Sequence, residues 1–121
     1  MTSEDVRKAL VLFQHSERIK TFLIVASKMV DGLRGLEGAE LSGARGMFKR
    51  FLDALMAEVR MAHNITKRAE FGDVNAVLSE VSNLTGSGLV DEAVRKIAEA
   101  ISMVTTCGSE ALEVLRRGGL I

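Results

Sequence analysis

Leu12, Ser16, Ile19, Leu23, Ala26, Val30 and Leu33 follow one another at spacings of 4, 3, 4, 3, 4 and 3. That alternation holds every member on one stripe of an α-helix for about six turns. A second row, Phe22, Val25 and Met29, runs beside the stripe, so Thr21–Val30 is too apolar for a helix that buries only one face. It reads as the middle of a core helix packed on two sides. The chain contains no proline, the strongest helix breaker, so glycines and polar caps must mark the boundaries.

The remaining segments follow the same logic. Thr2 or Ser3 can cap a first helix over 3–34, with Glu4 and Asp5 favourably placed in its first turn. Gly35–Gly43 reads as a loop, with Ser42 capping the second helix. That helix runs over 43–71 on the row Ala44, Phe48, Phe51, Leu55, Ala62, Ile65 and Ala69, and Gly72 closes it. Asp73 caps a short third helix over 74–85. The fourth, over 88–117, carries Val90, Val94, Ile97, Ile101, Val104, Gly108, Ala111 and Leu115, and it should continue through Gly108. The fold expected is all-α: one domain over 1–121, an up-and-down four-helix bundle with three long helices and one short one.

A chain of 121 residues buries roughly two-thirds of its unfolded surface and needs no disulfide or metal to fold. Its single cysteine, Cys107, cannot form an internal disulfide, which suits a reducing cytoplasm. The acidic start, Thr2–Asp5, lacks the basic region of a signal peptide, and Lys28 interrupts the longest apolar run, so no membrane association is expected. Sixteen basic residues cancel sixteen acidic ones, which leaves no overall field to attract nucleic acid.

The tests for chemistry fail one by one. Neither His15 nor His63 has a Glu three residues before it, so the Glu-x-x-His pairs of a ferritin-like di-metal bundle are missing. Glu110 and Glu113 form the one helical Glu-x-x-Glu, too little for a metal-dependent helical pyrophosphatase. No P-loop ending and no helix-turn-helix is found. No catalytic set, metal site or cofactor is therefore expected.

Two stretches without charge, Thr21–Ser27 and Ala100–Ser109, lie deep inside long helices. A lone bundle normally places charges on the outer faces of its helices, so a second contact surface is expected at Phe22, Val25, Met29, Ala100, Met103 and Cys107. The leading expectation is a non-enzymatic, self-associating module, most simply a homodimer. A second reading is an enzyme or a small-anion or nucleotide-binding bundle. It would use Ser42, Gly43, Arg45, Lys49 and Arg50, where free N–H groups and cations meet at a helix start. A third is weak nucleic-acid or acidic-partner binding through Lys49, Arg60, His63 and Lys67 on helix two.

Overall fold

The computed structural model describes residues 1–120 and forms four helices, α1 (Ser3–Asp31), α2 (Gly38–Thr66), α3 (Ala69–Gly86) and α4 (Val90–Arg117). Each packs against its neighbour in sequence and α4 closes back on α1, the connectivity of an up-and-down four-helix bundle. Among neighbouring pairs the α1–α4 contact is the most extensive and the α1–α2 contact the least, so the bundle packs most closely between α1 and α4 and most sparsely between α1 and α2.

Helix α1 begins as its sequence suggests. Thr2 Oγ1 accepts a hydrogen bond from the Asp5 N–H at 3.1 Å, and Asp5 Oδ2 accepts one from the Thr2 N–H at 3.0 Å, a reciprocal capping box. The stripe Leu12, Ser16, Ile19, Leu23, Ala26, Val30 and Leu33 is buried throughout. Helix α4 runs unbroken through Gly108, and its buried residues include Ala93, Ile97, Val104, Ala111 and Leu115.

Both ends of α2 differ from the expected ones. The helix starts at Gly38, not at Gly43, because Leu41 extends the inward row of Ala44, Phe48, Leu52 and Leu55 by one turn. The connection from α1 is correspondingly short, and Gly35 (φ 77°) and Gly38 (φ 57°) supply the left-handed conformations it requires. At the other end α2 stops at Thr66, where Lys67 adopts φ 60° and donates its N–H to the His63 carbonyl at 2.8 Å. Gly72 and Asp73, expected as cap residues, lie inside α3.

The physical reason is Phe71. Continued along α2, it would face away from the row Leu55, Val59 and Ala62. A break at Lys67 instead makes it the first member of the buried row Phe71, Val74, Leu78, Val81 and Thr85 on α3. Burying a phenylalanine contributes about 1.5–3 kcal/mol, against roughly 1–2 kcal/mol for a lysine in the left-handed region. Helix α3 thus has 18 residues, shorter than its neighbours but half as long again as expected.

Candidate functional site

Arg18 on α1 and Glu58 on α2 meet at 3.3 Å across the loosest helix pair and fix its register. Moving one heptad up each antiparallel helix from this level brings Val25 opposite Phe51. Four residues further up, Met29 stands opposite Met47. One heptad down brings Val11 opposite Ile65. The two facing rows are apolar except at the ion pair. Phe22, Met29 and Phe51 are half-buried against the core, while Val25, Met47, Met61 and Ile65 are exposed, Met47 to 65%. Above the ion pair the shallow groove that any two packed helices leave between them is thus edged with apolar side chains.

Below it, where α2 ends, lies an open cleft of about 980 Å³, bounded by α1, the α2–α3 turn and the end of α4. Val11, Leu12, Ile65 and Val114 form its apolar surface, and Lys8 and Lys67 stand among its lining residues. Lys8 lies four residues before Leu12, where the inward stripe of α1 turns polar, a position that carries no signal of a site in the sequence. Lys67 reaches the cleft because α2 ends there, which the sequence reading did not anticipate.

Next to the Arg18–Glu58 pair, His15 is buried, its Nδ1 3.0 Å from an Arg18 guanidinium nitrogen. Burial pushes the imidazole below its ordinary value near 6.5. Arg18 acts in the same direction and Glu58 opposes both. A histidine with a lowered folded-state value takes up its proton more readily when the chain is unfolded. Its stabilising contribution is therefore present above pH 6.5 and is lost as pH falls through 6.5 towards the folded-state value. Urea unfolding should accordingly show lower stability at pH 5.5 than at pH 7.5. His15→Leu should flatten that difference; an equally steep dependence in the variant would place its origin elsewhere. Asp5 and Glu70 are both lowered from values already below this window, so they titrate beneath it.

A second polar cluster closes the lower end. Arg68 bridges Glu70 and Glu110, each at 2.6 Å, which raises its own affinity for protons and lowers that of Glu70. Cys107 lies against this cluster, fully buried, its thiol pushed up to about 11 by burial and by Glu70. A thiol so disposed carries almost no thiolate at neutral pH and is a poor nucleophile. Glu113 binds Arg117 at 3.3 Å and also Arg116, and no group of three or more metal-ligating side chains exists among the described residues. Elsewhere on α4, Asp91 holds Arg34 at 2.7 Å and Lys96 holds Glu80 at 3.4 Å.

The residues expected at an oligomer surface separate into two groups. Ala100 and Cys107 have no exposed surface and belong to the core, and Met103 packs against it. The chargeless stretch on α4 divides into buried Ala100, Val104, Cys107 and Gly108 and the exposed neutral polar residues Ser102, Thr105, Thr106 and Ser109. Phe22, Val25 and Met29 instead border the groove on the α1–α2 side, where α2 supplies partners that the sequence reading assigned to its own seam or left aside.

The expected anion site does not assemble. Ser42 and Gly43 lie within α2, where their N–H groups already belong to the helical ladder. The free N–H groups at the start of α2 are flanked by the carboxylates of Glu37 and Glu40, which repel an anion. Arg45 turns towards Gly88, Lys49 pairs with Asp53 at 3.7 Å, and Arg50 is exposed a quarter-turn away from Lys49. Arg45 Nε is buried without a partner. In the basic row of α2, Lys49, Arg60 and Lys67 are exposed, whereas His63 is half-buried towards α3.

Comparison with protein-family models, curated proteins and solved structures finds no significant match to this chain. No helix among the described residues is long and apolar enough to cross a membrane.

Proposed function

We propose that the chain is a non-enzymatic, self-associating helical-bundle module whose contact surface is the α1–α2 groove. The observation that carries this reading is the pair of facing apolar rows on the most weakly packed helix pair, with Met47 and Val25 exposed beside half-buried Phe22, Met29 and Phe51. Burying such a patch releases water from apolar surface, the main driving force of association.

A second copy fits this surface by charge. Its lower edge holds one cation and one anion, Arg18 and Glu58, each side chain 43% exposed. A two-fold axis passing beside that edge would bring Arg18 of one copy towards the glutamate of the other, whereas a face of one sign would repel itself. The chain as a whole is neutral, so no long-range repulsion opposes pairing.

Light scattering at micromolar concentration should give the mass of a dimer. Met47→Glu, a change at an exposed helix position, should weaken association roughly tenfold or more while leaving the fold intact. A wild-type monomer across the micromolar range overturns the reading. A Met47→Glu variant that associates as tightly as the wild type moves the contact off this face.

A further inference from the structure

The lower cleft differs from the groove above it. It is concave, lined on three sides by helices and a turn, and its volume of about 980 Å³ lies at the upper end of the range of small-molecule sites, roughly 300–1,000 Å³. Its charges divide into used and unused. Arg7 is held by Glu4 at 3.0 Å, Asp5 is committed to the cap of α1, and Arg68 is held by Glu70 and Glu110. Every carboxylate lining the cleft is thus engaged. Lys8 and Lys67 form no ion pair among the described residues, and both border the apolar surface of Val11, Leu12, Ile65 and Val114.

An apolar wall beside two unpaired ammonium groups fits a ligand that is apolar along its length and anionic at one end. We infer that this cleft binds a free single-chain amphiphilic anion, an acyl carboxylate of medium length, with its alkyl chain along Val11, Leu12 and Ile65 and its carboxylate between Lys8 and Lys67. A small hydrophilic anion leaves the apolar wall in water. A neutral alkane leaves the two cations unused. A flat bilayer cannot enter a hollow between helices, which selects a free chain over a membrane surface. The binding is non-covalent, and the carboxylate remains ionised throughout.

Isothermal titration of the full chain with octanoate, decanoate and 1-decanol, below their aggregation concentrations, tests this. Each buried methylene strengthens binding by roughly fourfold, so decanoate, two methylenes longer, should bind about fifteenfold more tightly than octanoate. Decanol, equal in length and uncharged, should bind several-fold more weakly than decanoate. The double variant Lys8→Glu/Lys67→Glu changes two exposed side chains, and its thermal unfolding serves as the check on folding. It should lose roughly tenfold for decanoate and nothing for decanol. Four results overturn the inference: no saturable binding of decanoate, equal affinity for octanoate and decanoate, equal affinity for decanol and decanoate, or an unchanged affinity in the double variant. Capture by phosphatidylglycerol vesicles without binding of free decanoate also overturns it and assigns the cleft to a membrane surface.

Discussion

Phe71→Ala should lower the free energy of unfolding by about 3–5 kcal/mol, a large share of the roughly 5–15 kcal/mol that holds a domain of this size together. Phe71 is fully buried and is the first inward residue of α3, immediately after the turn at Lys67 and Arg68. Truncation there removes most of an aromatic side chain from the closed end of the core, and neighbours fixed on α2 and α4 cannot collapse into the space. The same change removes the gain that offsets the left-handed backbone at Lys67, so α2 loses its reason to stop at Thr66. Two effects should therefore appear together. The melting temperature falls by on the order of 10–20 °C, and amide exchange quickens first in residues 66–71. Phe71→Leu, which keeps most of the volume, should show a fraction of both. A loss below about 1 kcal/mol for Phe71→Ala would mean that the α2–α3 turn is set by something other than this side chain.

Phe71 also shows what the sequence made legible and what it did not. The four helices, the unbroken course of α4 through Gly108 and the buried stripe of α1 follow from spacing, because a stripe maintained for many turns is compatible with only one period. Boundaries depend on single residues competing for burial. Gly72 and Asp73 carry the local signals of a stop and a start, but burial of Phe71 outweighs them and moves the turn five residues upstream to Lys67, which by itself signals nothing. Leu41 does the same at the start of α2 and dissolves the anion site that depended on a helix beginning at Ser42.

The candidate sites were legible only as helix faces. Apolar rows beside the stripe were visible on both α1 and α4, but the side to which each helix turns its second row depends on the order of packing. The closest contact fell between α1 and α4, which enclosed Ala100 and Cys107. It left Phe22, Val25 and Met29 towards α2. The lower cleft lies where α2 ends at Thr66 while α1 continues to Ser3, and that end point was set by Phe71 rather than by a local signal.

Gly108 controls that close contact, and substitutions there should change stability in opposite directions. It is buried on α4, and a Cβ built on it would lie 3.5 Å from the Ser16 Cβ and 3.7 Å from Glu17 Oε1 on α1, ordinary contact distances. A methyl group therefore fits. Gly108→Ala should stabilise the protein by up to about 1 kcal/mol, because glycine inside a helix carries a conformational penalty that alanine does not. Any branch beyond Cβ meets the side chains of Ser16 and Glu17 on α1. Gly108→Leu should therefore destabilise by about 1–3 kcal/mol or more, forcing apart the most extensively packed pair of the bundle. Thermal unfolding of the two variants beside the wild type decides the matter. A gain for alanine with a loss for leucine means that α1 and α4 approach to within one methyl group of contact, whereas losses in both mean that they are already touching. In the first case the small residues Ser16 and Gly108 are what let α4 lie close against α1, the most extensive helix contact of the bundle.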